Sequence, residues 1–350
     1  MTREQNYLLD YLEEQRVAAI QGGAGTGKTM LAIEKAKRLA QTDKVLFLCF
    51  NKFLLKSLKE KYANDNVNID FYNLPALFYH SRGMSNIDGN EGISEFLLST
   101  DTKNWKYSHI IIDEGQDFFE DHIILLETIA EKSNGCFYVF YDKNQLVQQI
   151  QTPDWLKEVE CRLILSANCR NTKSIAITSN KAIGINEVKM RLDMLGDKPK
   201  LYITHSSEDA LEQLSKSIRY YTDNGIKKRD IVILTVKTEE NSILSGISSI
   251  GSYHLTSDAD SNDILFTSAR KFKGLEANVI IIIDMDDESF ATDIAKMVLY
   301  VGASRAKHFL EFISVMNTEQ LSRMAELICG RNTKNSKMII GSQLKVKLTL

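Results

Sequence analysis

Prolines are scarce: only three occur in 350 residues. The chain is therefore no proline-rich linker or recognition tail, and few helices or strands are interrupted from within. Five cysteines (Cys49, Cys136, Cys161, Cys169, Cys329) are scattered with no C-x-x-C pair, which excludes a disulfide framework and the usual zinc spacings. That usage fits a reducing compartment, and a cytoplasmic location is expected. The six histidines stand far apart, with no metal-ligand spacing. No run approaches the ~20 apolar residues of a membrane span. The start, Met1-Thr-Arg-Glu-Gln-Asn, lacks the apolar stretch of a signal peptide, so no membrane partner is expected. The net charge of −3 excludes a continuous basic coat; any nucleic-acid site must be local and salt-sensitive.

What is present is apolar material in short, spaced runs. The 43% hydrophobic content can fill two cores. Strands are expected at 16–20, 44–50, 69–72, 109–113, 137–141, 162–166, 201–204, 231–235, 264–267, 279–284 and 309–315, with helical stretches between them. Runs apolar throughout indicate parallel strands covered on both faces, hence an α/β, doubly wound fold. Pro153 sits in the polar breaker Gln151-Thr-Pro-Asp154, which places a domain boundary near 150–160, with domains 1–155 and 156–350. Residues 81–104 read as an inserted loop or small subdomain, and 337–350 as a terminal strand or tail.

Two motifs carry chemistry. Gly22, Gly23, Ala24, Gly25, Thr26, Gly27, Lys28 and Thr29 form a complete phosphate-binding loop between an apolar run and a helix-forming stretch. Its glycines let backbone N–H groups surround phosphate oxygens, and the following helix points its positive end at them. Lys28 suits the β- and γ-phosphates and Thr29 suits Mg2+. The second motif, Ile110-Ile-Ile-Asp113-Glu114-Gly-Gln-Asp117, delivers two carboxylates at the carboxyl end of a strand. Asp113 is assigned to Mg2+ and Glu114 to the attacking water, making ATP and Mg2+ the expected cofactors.

The box Asp113-Glu114-Gly115-Gln116 resembles that of superfamily 1 helicases, the UvrD/Rep-like group, and further stretches resemble the family's motifs in order. Thr2-Arg-Glu-Gln5 resembles its N-terminal glutamine motif, implying a contact from Gln5 to adenine. Phe50-Asn51-Lys52 resembles its single-strand-contacting turn. Phe140-Tyr-Asp-Lys-Asn-Gln145 resembles motif III, with Gln145 sensing the γ-phosphate. Asn168-Cys169-Arg170-Asn171 resembles the Asn-Tyr-Arg-Ser box, with Arg170 directed at the same phosphate. Thr267-Ser-Ala-Arg270-Lys-Phe-Lys273-Gly-Leu-Glu276 resembles motif V, placing Arg270 and Lys273 at nucleic acid and Glu276 at the nucleotide. Tyr300-Val-Gly-Ala-Ser-Arg305-Ala resembles motif VI, with Arg305 as arginine finger.

The resemblance implies two RecA-like P-loop NTPase domains with mainly parallel sheets. It implies an ATP hydrolase and motor, a helicase or translocase, acting on single-stranded DNA or RNA. The chain departs from the family at three points. Cys169 stands where the family stacks a tyrosine on adenine, Arg270 stands for a common histidine, and Leu146–Ile150 lacks the usual base-stacking aromatics. The intervals Lys28–Asp113 and Arg170–Arg270 are too short for the family's large accessory domains, which points to a minimal motor core. Lys52, Lys56 and Lys59 make one basic helical face, read equally well as solvated. Arg270-Lys-Phe-Lys273 interleaves basic residues with an aromatic. The alternative function is a nucleotide-gated switch that regulates a partner protein such as a nuclease, with little unwinding.

Overall fold

The computed structural model describes residues 3–63, 65, 67–82, 89–145, 152–191, 194–330 and 335–349. The expected stacking gap at 146–150 lies outside the described residues. The chain divides into two units, Met1–Ser166 and Ala167–Leu350.

The first unit contains strands β1 (Val17–Gly22), β2 (Val45–Cys49), β3 (Ile69–Tyr72), β4 (His109–Asp113), β5 (Phe137–Tyr141) and β6 (Arg162–Leu165). They form a six-stranded sheet in the order β3-β2-β4-β5-β1-β6, parallel throughout. Helices α1 (Arg3–Tyr11), α2 (Lys28–Leu39) and α3 (Lys52–Tyr62) cover one face; α4 (Leu74–Arg82), α5 (Gly89–Leu98), α6 (Glu120–Lys132) and α7 (Trp155–Glu158) cover the other.

The pleat explains why these strands are apolar at every position. Along β4, Ile110 and Ile112 enter the core with α6, while Ile111 enters the core with α2. Each such side chain is fully buried and contributes roughly 1.5–3 kcal/mol.

The second unit contains β7 (Lys200–Thr204), β8 (Ile231–Thr235), β9 (Ser249–Ile250), β10 (Tyr253–Thr256), β11 (Ile264–Ser268), β12 (Ala277–Ile283), β13 (Ala306–Val315) and β14 (Lys347–Thr349). Their order is β14-β7-β13-β12-β8-β11-β10-β9, and all pairs are parallel except β9 with β10. Helices α8 (Lys173–Ala182), α10 (Asp293–Ala303), α11 (Thr318–Cys329) and α12 (Ser336–Leu344) pack on one face, and α9 (Ser207–Asp223) on the other. The α/β architecture with two mainly parallel sheets is as expected.

Three expectations change. The boundary falls after Ser166 rather than near 155, because β6 pairs with β1 through Ala19–Arg162 to Gly22–Leu165. The segment 81–104 is no separate subdomain where it is described: α5 buries Ile93, Phe96 and Leu97 in the core shared with α6. The terminal stretch forms a helix, α12, before the short strand β14 joins β7.

Candidate nucleotide-binding site

The sheet order puts the first unit's chemistry on neighbouring strands. The carboxyl ends of β4, β5 and β1 deliver Asp113, Asp142 and the loop at Gly22, the place where parallel sheets bind ligands. Gly25 (φ 76°) and Gly27 (φ 86°) take left-handed backbone, and Gly27 starts α2 in that conformation. A Cβ at Gly27 would lie 2.5 Å from Gln5 Nε2. Gln5 itself donates to the Thr26 carbonyl at 3.2 Å, so the side chain expected at adenine also braces the loop.

Lys28 is buried and folded back on its loop. Its Nζ donates to the Gly22 carbonyl at 2.8 Å and to Gly23 at 3.1 Å, with Asp142 Oδ2 3.7 Å away. Thr29 Oγ1 donates to Asp113 Oδ2 at 2.6 Å, joining the two motifs. Asp113 Oδ1 accepts the Glu114 N–H at 3.0 Å. Burial, and then the Glu114 carboxylate, push the Asp113 carboxyl up to about 6, against the pull of Thr29 and Lys28. The same burial beside Asp113 and Glu114 raises the Cys49 thiol, which makes it no nucleophile.

Glu114 occupies left-handed backbone (φ 57°), an uncommon state for a non-glycine that concentrates at functional turns. Its Oε2 accepts from Gln116 Nε2 at 2.7 Å; Gln116 Oε1 accepts the Asp142 N–H at 3.0 Å; Asp142 Oδ2 accepts from Gln145 Nε2 at 2.6 Å. A buried polar line thus runs from Glu114 to Gln145 and Lys28. Gln116 and Asp142 lie inside motifs read from the sequence but were given no role there. Their signal was an amide and an acid just past adjacent strand ends, which becomes meaningful only when β4 and β5 are known to be neighbours.

The donor set fits a nucleotide with its divalent ion. The loop presents a helix start, and the Thr29 hydroxyl already meets the Asp113 carboxylate through a hydrogen bond. Among the described residues, no group of three or more His, Cys, Asp and Glu could hold a metal by itself. Phosphate oxygens would have to complete the shell.

In the second unit, Arg170 and Glu276 come together at the amino end of the sheet, Glu276 directly preceding β12. Arg170 Nε and Lys307 Nζ each lie 2.5 Å from the Glu276 carboxylate, and Arg170 Nη1 is buried without a hydrogen-bond partner among the described residues. Burial opposes the Glu276 charge, but Arg170, Lys307 and Arg305 outweigh it and hold the carboxyl below its ordinary range. Arg305, just past α10, is buried and donates from Nε to the Val301 carbonyl at 3.1 Å. Asn171 donates to the Ser304 carbonyl at 2.9 Å and to that of Ala306 at 2.5 Å, locking the two arginine turns to one another. Cys169 is half-buried and its Sγ lies 3.5 Å from the Ala167 carbonyl.

The expected nucleic-acid residues divide. Asn51 caps α3, accepting the Leu54 N–H at 3.0 Å. Lys56 lies 4.0 Å from Glu60, and Lys59 Nζ lies 5.0 Å over the Tyr72 ring, so this basic face is partly engaged. Phe50 and Lys52 line a cavity of about 480 Å3 together with Tyr79, Phe118, Phe119 and His122, a feature the sequence did not announce. Phe50, Tyr79 and Phe119 are exposed on it. Phe272 and Lys273, by contrast, are buried, so the basic-aromatic interleaving at 270–273 offers no ring to a base; Phe272 belongs to the core.

Residues 5–151 match the AAA domain family. No curated protein matches the chain. Among solved structures, the C-terminal domain of a possible DNA helicase from Lactobacillus plantarum WCFS1 is similar at 18% identity and a TM-score of 0.36, covering 51% of this chain and 98% of that one. The PRRSV helicase gives 10% identity and a TM-score of 0.46 over 90% of this chain. The arterivirus nonstructural protein 10 helicase, solved with DNA, gives 11% and 0.46 over 93%. The chain spans 56% and 65% of those two viral chains. The AAA-domain match covers less than half of the chain, and it includes the phosphate loop and the carboxylate strand.

Proposed function

We propose that this chain is an ATP-dependent nucleic-acid motor core, hydrolysing ATP in response to single-stranded DNA or RNA. The observation that carries the reading is the 2.6 Å hydrogen bond from Thr29 to Asp113, which joins a complete phosphate loop to the carboxylate strand. In this reading Lys28 leaves the Gly22 and Gly23 carbonyls for the β- and γ-phosphates, and the loop N–H groups take the rest. Thr29 and Asp113 hold Mg2+, which when bound neutralises charge on the phosphates. Glu114 orients the attacking water, kept in place through Gln116, and Gln145 reports the γ-phosphate to the same polar line.

The motif series implies that Arg170 and Arg305 act on the γ-phosphate. Such arginines are worth on the order of 10³–10⁵ in rate in related NTPases. The Asn171 bridge ties the two arginine turns together. The cavity lined by Phe50 and Lys52 suits an unstacked base: its exposed rings would supply stacking and Lys52 a positive charge.

The test is ATP turnover with and without single-stranded oligonucleotide. A many-fold rise supports the motor reading. A flat response with intact hydrolysis would replace it with the nucleotide-gated switch acting on a protein partner such as a nuclease.

A further inference from the structure

At the carboxyl end of the second unit's sheet lies a carboxylate that the nucleotide chemistry does not use. Glu239 begins the short helical turn after β8 and reaches across to the end of β11. Its Oε1 accepts from Thr267 Oγ1 at 2.8 Å and from the Ser268 N–H at 3.1 Å; its Oε2 lies 2.6 Å from Lys271 Nζ. One side chain therefore satisfies three donors spread over five residues of another loop.

The arm that carries Glu239 is itself fixed. Asp284, in left-handed backbone at the end of β12, accepts from Thr235 Oγ1 and Ser242 Oγ, each at 2.6 Å, and from the Ile243 N–H at 3.1 Å. Lys237 pairs with Asp286 at 3.0 Å. The far side of the turn is equally constrained: Ala269 is fully buried, a Cβ on Gly302 of α10 would lie 3.2 Å from the Ala269 Cβ, and Phe272 is in the core.

Arg270 sits in the middle of this clamped turn. Its side chain is half-buried, makes no ion pair among the described residues, and has its guanidinium lowered by burial with nothing to offset the cost. A partly desolvated cation without a counter-ion is a preorganised anion site. Glu239, which reaches this turn from the loop after β8, is committed to Thr267, Ser268 and Lys271.

We propose that Glu239 is a positioning residue: it holds the Thr267–Lys271 turn in the shape that presents Arg270 to a backbone phosphate of the bound strand. This rests on the strand-binding reading given above. The sign of the effect separates geometry from plain charge. Removing an acid beside a phosphate site should strengthen anion binding by electrostatics alone; if Glu239 positions Arg270, removing it must weaken binding.

The experiment titrates the full chain with a fluorescent single-stranded oligonucleotide at several salt concentrations, for wild type, Arg270→Ala, Glu239→Ala and Glu239→Gln. Loss of one phosphate contact lowers the slope of log K against log salt by about 0.7. We expect Arg270→Ala and Glu239→Ala each to lose about that much slope and roughly ten-fold in affinity at low salt, while ATP binding stays within two-fold. Adding Glu239→Ala to Arg270→Ala should change nothing more. Glu239→Gln retains the acceptor for Thr267 and Ser268 and should keep the wild-type slope. If Glu239→Ala does not fold, Thr267→Val removes one donor of the clamp and should show part of the same loss. Unchanged slope with equal or tighter binding in the alanine or valine variant overturns the positioning role while leaving strand binding intact. Failure of wild type to bind any oligonucleotide overturns the strand-binding reading and this inference with it.

Discussion

The two units place the charges that the motif series assigns to nucleotide at opposite ends of their sheets. In the first, the loop at Gly22 and the acids Asp113 and Asp142 stand at the carboxyl ends of parallel strands, where α2 begins. Helix starts expose N–H groups and attract anions. In the second, Arg305 and Glu276 stand at the amino ends of β13 and β12, and Arg305 bonds the Val301 carbonyl in the last turn of α10. Helix ends expose carbonyls and favour cations. The backbone thus supplies a phosphate cradle in one unit and an arginine rest in the other. The charged groups are also satisfied differently: Lys28 by its loop's carbonyls, Arg170 by Glu276 with one nitrogen left over.

The largest effect should come from removing the first unit's cation. Lys28→Ala should abolish turnover and weaken nucleotide binding, measured by phosphate release and by fluorescent-nucleotide titration. Retained turnover would sink the site assignment. Next comes the second unit's cation. Arg305→Ala should cut turnover by about two orders of magnitude with nucleotide affinity nearly unchanged. Because Arg305 is buried against α10, a melting curve must accompany the assay; a parallel fall in binding, turnover and stability would make it structural instead.

A third variant tests the strain in the first unit. Asp113 has a carboxyl raised above the ordinary ~4 to about 6, so its protonated form is favoured in the folded state. The stability this gives is complete below pH ~4 and is lost as pH rises through about 6. Asp113→Asn should therefore melt higher than wild type at pH 7.5 without nucleotide, by roughly 2–4 °C, while losing its response to Mg2+. A lower melting temperature would show that Asp113 is stabilising as a carboxylate. In wild type, Mg2+-dependent turnover should fall as pH drops through about 6.

The smallest effect is the mirror image in the second unit. Glu276 is held below its ordinary range, so its contribution is present above about 4.5 and lost as pH falls through the lowered value. Glu276→Gln should flatten the acid limb of the stability profile. An unchanged acid limb would mean that the Arg170 and Lys307 pairs add nothing to the fold.

Much of this was legible in the sequence because the strands are apolar on both faces. Ile110–Ile112 and Val279–Ile283 leave no other reading once the pleat must be buried twice. The Thr29–Asp113 link was likewise implied by two motifs of known chemistry. What was missed depends on neighbours. Nothing in Arg162–Leu165 says that it pairs with β1, so the boundary was set too early. Gly89-Asn-Glu-Gly92 is poor helix material, and α5 forms because Ile93, Phe96 and Leu97 find a core. Glu239 is 28 residues from Thr267, and no local pattern marks such a pair. Phe272 looked like a stacking ring among basic residues, whereas its side chain faces the core.

The most direct test of the account is ATP turnover of wild type and Arg305→Ala, each with and without a single-stranded oligonucleotide. The account predicts a many-fold stimulation in wild type and turnover at least about a hundred-fold lower in the variant under both conditions, with ATP still bound. Wild type that ignores the oligonucleotide, or a variant that hydrolyses ATP as fast as wild type, would contradict it.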